Sequence, residues 1–114
     1  MNIEVKQENG IHVMHCGGSL DADTVSAFKK IAYDLVSGGA TRFVIDCTNL
    51  TFIDSMGLGV LISLLRRVRS RSGDVKVAAL SDEVKTIFEI TRLHRLFEVC
   101  ADWNAAVRQF SKKP

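Results

Sequence analysis

Phe52-Ile53-Asp54-Ser55-Met56-Gly57-Leu58-Gly59-Val60 marks a place where a strand gives way to a helix. Upstream, Phe43-Val44-Ile45-Asp46 is an apolar, strand-like burst. Downstream, Leu58, Leu61, Ile62, Leu65 and Val68 recur at the i, i+3, i+4, i+7 spacing of a helix. Ser55 therefore falls at a predicted helix N-terminus. There the first backbone N–H groups lack intrahelical partners and the macrodipole presents partial positive charge, so a hydroxyl can cap the helix and a phosphate can be tolerated. Gly57 and Gly59 permit close backbone approach, either by a partner or between helix and sheet. Each costs about 1 kcal/mol of helix propensity relative to alanine.

Working outward, strands and helices alternate. Ile3 and Val5, then Ile11, Val13 and His15, follow the period of two expected for strands, with Asn9-Gly10 as a hairpin turn between them. Residues 23–37 carry Val25, Phe28, Ile31, Ala32 and Leu35 as a helical stripe, closed by Gly38-Gly39. A strand over 42–46 leads to the Ser55 helix, which runs to about Arg71 and is broken by Ser72-Gly73-Asp74. Residues 75–78 form the next strand. Ser81 or Asp82 opens a helix with Val84, Ile87 and Phe88 facing inward, 96–99 is a last short strand, and Asp102 caps a closing helix bearing Trp103, Ala106, Val107 and Phe110. This order predicts an α/β fold: a mixed, mostly parallel sheet of four to five strands flanked by about four helices, with functional loops beyond one end of the strands. Ser55 lies at such an edge. Without an internal repeat, linker or low-complexity segment, residues 1–114 read as a single domain.

Composition agrees. With 46% hydrophobic and 25% charged residues, the chain is globular in character, and at this size it buries about 60 to 70% of its unfolded surface without a disulfide or metal staple. Cys16, Cys47 and Cys100 are odd in number and widely spaced, which predicts reduced thiols behaving as small hydrophobes. No Cys-x-x-Cys pair exists and His12, His15 and His94 are scattered, so neither a metal nor a cofactor is expected. The N-terminus lacks a basic flank followed by an apolar run, and no stretch reaches 18 apolar residues. A cytoplasmic protein with no membrane partner is expected.

Several functional classes fail on chemistry. Arg66, Arg67, Arg69 and Arg71 spread over several helix faces, the formal net charge is only +2, and no aromatic platform accompanies them, which argues against nucleic acid. A serine-hydrolase elbow requires Gly-x-Ser-x-Gly, but Ile53 stands two residues before Ser55 and no histidine is tied to an acid by sequence. Gly57-x-Gly59 lacks the third glycine of a dinucleotide fingerprint, Ile62 standing there, and no P-loop exists. Weak nucleotide binding stays open. Asp46 lacks the acidic pair of a receiver domain and is expected to be a structural carboxylate near the Ser55 loop. Met56 and Val60 lie off the helix's packing stripe at one-turn spacing, which predicts an apolar interface centre with arginines as its polar rim.

Asp-Ser-x-Gly-Leu-Gly-Val, with its Asn-Leu-Thr-Phe-Ile lead-in, resembles the signature of bacterial anti-sigma-factor antagonists, small proteins of the STAS domain family. Gly18-Ser19-Leu20-Asp21 with Thr24 resembles the family's Gly-x-Leu-Asp element. Residues 77–80 followed by Ser81, Val84, Lys85, Phe88 and Leu93 resemble its later strand and helix, so the likeness covers nearly the whole chain. Met56 is a departure, standing where relatives often carry a small or hydroxylated residue. The resemblance implies that Ser55 is the phosphorylated serine. It implies a non-enzymatic, partner-switching regulator that binds an anti-sigma factor with serine kinase activity while Ser55 is unmodified, leaves it on phosphorylation, and is restored by a phosphatase. Asp21 (contact or loop anchor), Asp54, Met56, Gly57, Gly59 and Val60 are the expected partner-binding residues. The alternative is a non-phosphorylated STAS scaffold subunit of a signalling or lipid-transport complex.

Overall fold

Asn9 and Gly10 both adopt positive φ (52° and 79°), and this turn joins strands β1 (Asn2–Glu8) and β2 (Ile11–Leu20). Paired positive φ is the I′ geometry that matches strand twist, which is why Asn-Gly so often marks a hairpin. The computed structural model describes residues 1–111. After the hairpin come α1 (Val25–Ser37), β3 (Arg42–Ile53), α2 (Ser55–Arg69), β4 (Asp74–Ala78) and α3 (Asp82–Ile90). A single 3₁₀ turn (Leu93–Arg95), β5 (Glu98–Cys100) and α4 (Trp103–Ser111) complete the order.

The sheet runs in the order β1-β2-β3-β4-β5, with β1 antiparallel and the others parallel. It is thus the mixed, mostly parallel α/β sheet expected, with five strands and four α-helices. Helices α1, α2 and α3 cover one face. There Phe28, Ala32 and Val36, then Val60, Leu61, Leu64, Leu65 and Val68, then Val84 and Phe88 pack on Met14, Leu20, Phe43, Ile45, Leu50, Ile53, Val75 and Val77. Helix α4 covers part of the other face, where Ala106 and Val107 meet Ile11, Val13, Val44 and Ala78. Each such large side chain, fully buried, contributes about 1.5 to 3 kcal/mol. Lys76 is buried on the α4 side, its charge met by Asp74 (3.3 Å) and Glu98 (3.5 Å) and its ammonium 4.5 Å from the centre of the Phe110 ring.

Three expectations need correction. The strand expected over 42–46 continues to Ile53, because β2 goes on pairing with it through two register shifts after β4 has ended. The last strand is Glu98–Cys100 and not 96–99, since Leu96 closes the 3₁₀ turn and Phe97 is turned into the core. Val60 is 6% exposed and packs with Leu61 and Leu64, so it belongs to the interior and not to an outer apolar face. The buried stripe of α2 is rotated from the one that the leucine spacing predicts and passes through Gly57.

Candidate site at the mouth of helix α2

Ser55 is exposed and is the first residue of α2. It does not cap the helix: Asp54 does, with extended backbone and its Oδ1 accepting from Gly57 N at 3.0 Å. Among the described residues the Ser55 hydroxyl has no hydrogen-bond partner, and none of His12, His15 and His94 is bonded to it. An unbonded hydroxyl at this position faces the positive end of the helix dipole, a setting that stabilises an added anion.

Asp54 does more than cap. Its Oδ2 accepts from Ala22 N (3.1 Å) and its own N–H donates to the Leu20 carbonyl (3.2 Å), so one residue ties the start of α2 to the loop between β2 and α1. Gly57 tightens the same junction. A Cβ there would lie 2.3 Å from the Leu20 oxygen and 2.8 Å from Ile53 Cγ1, so only glycine lets helix and strand come this close. Its close approach is internal, not to a partner. Gly59, by contrast, is exposed and has open space where a side chain would grow.

Asp21 is a loop anchor. Its Oδ1 accepts from Asp23 N at 3.0 Å, while Thr24 Oγ1 accepts from Asp21 N (3.0 Å) and donates to the Ser19 carbonyl (2.8 Å). The loop held to Asp54 therefore carries two further carboxylates, on Asp21 and Asp23. Met56 is 53% exposed, in keeping with its expected place on the surface, and Phe52, which carries no signal of its own in the sequence, is 50% exposed on the last stretch of β3. Phe52 lies two residues beyond the buried Leu50, but a register shift between them puts an extra residue on β3, so Phe52, paired with Ser19, turns outward while the adjacent Ile53 and Leu20 point into the core. An exposed hydroxyl thus stands, along the chain, between two exposed apolar side chains beside an acidic loop.

Asp46 is not near this loop. It lies roughly 20 Å back along β3, at about 3.3 Å per residue, and its Oδ2 is 2.6 Å from His15 Nδ1. This histidine–acid pair, 31 residues apart in sequence, is too distant to serve Ser55 as a base. Three of the four arginines in and just beyond α2 have partners within the chain: Arg67 stacks 4.1 Å from the Tyr33 ring centre, Arg69 meets the Leu96 carbonyl and Asp74, and Arg71 bonds the Val36 carbonyl. Burial raises the Tyr33 pKa, but the Ser63 hydrogen bond and the nearby Arg67 and Lys29 outweigh it and the net direction is down. Among the described residues no cluster of three His, Cys, Asp or Glu side chains could hold a metal ion, and no helix is long and apolar enough to cross a membrane.

Fold and site together define a small α/β module that displays an unengaged serine at the mouth of a crossover helix. The chain belongs to the STAS domain family, whose model matches residues 2–106. Among its relatives is the anti-sigma-B factor antagonist of Listeria monocytogenes, 31% identical over 102 residues and covering 87% of this chain and 88% of that one. The fold recurs in an anti-sigma factor antagonist from Mycobacterium paratuberculosis (TM-score 0.90, 20% identity, 97% and 94% of the two chains). It recurs also in the Bacillus cell fate determinant SpoIIAA, solved in its phosphorylated form (TM-score 0.74, 19% identity, 94% and 98%).

Proposed function

We propose that this chain is an anti-sigma-factor antagonist that works by partner switching in the cytoplasm, with Ser55 as its phospho-acceptor. The exposed, unbonded Ser55 hydroxyl at the start of α2 carries the reading. The relatives' names and the phosphorylated form of SpoIIAA support it. Unmodified, the chain docks on an anti-sigma factor through Met56, Phe52 and the surface opened by Gly59, with Asp54 and Asp21 holding the two loops in register. Val60 and Gly57 serve from inside, as packing. The docked partner is itself the serine kinase.

Phosphorylation adds about −1.5 to −2 charge and three acceptor oxygens. The helix dipole accommodates that charge, so nothing in the fold has to move, but Asp54, Asp21 and Asp23 already make the rim acidic. The modified surface then repels an acidic partner group and must strip water from a dianion before it can seat on an apolar one. Docking ends, and a phosphatase restores the hydroxyl.

The test is to incubate the chain with each anti-sigma-factor kinase of its own genome and ATP, and to compare the wild type with Ser55→Ala and Ser55→Asp for phosphate uptake and binding. One kinase is expected to label the wild type but not Ser55→Ala, with Ser55→Asp binding at least tenfold more weakly. Uniform binding by all three proteins with no label on any would favour the scaffold-subunit reading.

A further inference from the structure

β3 changes support just before it delivers Ser55. Its ladder to β4 ends at Asp46↔Ala78, so in the sheet residues 47–53 are held by β2 alone. At the same point the β2–β3 register slips. From His15↔Asp46 to Gly17↔Asn49, β2 advances two residues and β3 three; from Gly18↔Leu50 to Ser19↔Phe52, β2 advances one and β3 two. Each slip is a bulge with one extra residue on β3, a device that bends and twists a strand and so re-aims the residues beyond it.

The first bulge is held by a buried carboxylate. Asp46 Oδ1 accepts from Thr48 N (3.1 Å) and Thr48 Oγ1 (2.6 Å), holding a residue that has no partner in the β2–β3 register, while Oδ2 faces His15 Nδ1 on β2 at 2.6 Å. The side chain of Asp46 is 8% exposed, so these bonds are little weakened by water. Trp103, the first residue of α4, sets its ring edge-on to His15 with centroids 5.5 Å apart, and so steadies the imidazole from the other side. The second bulge has its own hydroxyl, Thr51 Oγ1, donating to the Gly18 carbonyl at 3.2 Å.

We propose that Asp46, oriented by His15, is a positioning residue for the Ser55 segment: it fixes the bulge from which residues 49–53 set out, and with it the direction in which Phe52 and Ser55 are presented. This rests on the reading of Ser55 as phospho-acceptor. A hydrogen-bonded side-chain pair in the middle of a fully paired strand would only add stability. Here the pair sits where two-sided support becomes one-sided, and its loss is felt mainly downstream.

Backbone amide hydrogen exchange on the full chain tests this directly. In Asp46→Ala, protection of residues 49–53 should fall at least tenfold further than that of Asp74–Ala78 in β4. Asp46→Asn, which keeps an oxygen for Thr48, should restore most of it. Wild type in enough urea to match the variant's global stability should lose protection evenly. Should Asp46→Ala fail to fold, Thr48→Val, which removes only the hydroxyl that bonds Asp46, carries the comparison with an expected threefold local loss. With the kinase that labels wild type, Asp46→Ala at a temperature where it is folded should be phosphorylated with kcat at least fivefold lower. An even loss of protection across β3 and β4, or a wild-type kcat, overturns the inference. A wild type that no kinase labels overturns the proposed function instead, and the exchange comparison still decides the role of Asp46.

Discussion

Gly57 and Gly59 stand two residues apart on one helix, and the structure requires them to respond to the same substitution with opposite signs. Alanine gains about 0.8 to 1.0 kcal/mol over glycine in a helix interior. At Gly59 nothing lies within 4 Å of the new methyl, so Gly59→Ala should keep most of that gain. At Gly57 the methyl would sit 2.3 Å from the Leu20 oxygen and 2.8 Å from Ile53 Cγ1. The Leu20 carbonyl cannot simply retreat, because it accepts the Asp54 N–H at 3.2 Å and its residue is locked in the β2–β3 ladder. Overpacking typically costs about 1 to 3 kcal/mol, and a clash with backbone falls at the upper end, leaving Gly57→Ala destabilised by about 2 kcal/mol after the propensity gain. For a chain of this length a change of about 1 kcal/mol corresponds to about 4 °C in Tm. Thermal unfolding monitored by circular dichroism should therefore place Gly57→Ala about 8 °C below wild type and Gly59→Ala about 4 °C above it. A Gly57→Ala protein as stable as wild type would mean that α2 does not sit on β2 as described. Gly59→Ala carries a second readout: gained stability together with weakened partner binding would identify Gly59 as the point of close approach.

Other substitutions separate the roles of neighbouring residues. Asp54→Ala removes the cap of α2 and the bond to Ala22 N; it should cost about 1 to 2 kcal/mol in urea unfolding, with Asp54→Asn losing distinctly less. Val60→Ala should lower stability by about 2 kcal/mol through lost burial and a residual cavity, and leave partner affinity unchanged. Met56→Ala should do the reverse, and a reversal of that pattern in binding assays would return Val60 to the surface. Burial, with the Asp46 charge second, pushes the Cys16 thiol up to about 12, and burial pushes Cys47 up as well. Raised folded-state values mean that the native protein holds its thiol protons longer than the unfolded chain. The stability linked to them is complete below pH about 8.5 and is lost at higher pH, on the order of 1 kcal/mol per thiol per unit. Urea midpoints measured from about pH 7 to 10 should fall accordingly, and less steeply in Cys16→Ala. Iodoacetamide at about pH 8 should modify only Cys100 in the native protein, slowly because burial and then Glu98 raise its pKa too, and all three thiols in denaturant.

What the sequence discloses is local. Asn9-Gly10 announces its own turn, Ser81 and Asp102 cap where a polar residue precedes an apolar stripe, and Ser55 sits where an apolar burst meets a helical period. What it conceals depends on partners far along the chain. β3 reads as ending at Asp46 because Thr48 and Asn49 break the period of two, and the bulges that absorb them exist only through pairing with β2. Val60 reads as an outer residue because Gly57 contributes nothing to a hydrophobic count, although the helix turns that bare side to the strand. The outward turn of Phe52 comes from register, which composition does not report. The His15–Asp46 pair joins two strands separated by a helix, so no motif could have joined them on paper.

One consequence of the strand directions is practical. Met1 lies beside Gly18, near the pole where Ser55 is displayed, whereas α4 runs away from that pole and brings Phe110 alongside Arg42 and Asp74, where β3 and β4 begin. A fluorophore or purification handle attached on the last turn of α4, at Gln109, therefore stands a full sheet length from the hydroxyl. The same label placed ahead of β1 would crowd the approach of any incoming enzyme and imitate a loss of affinity that the protein itself does not have.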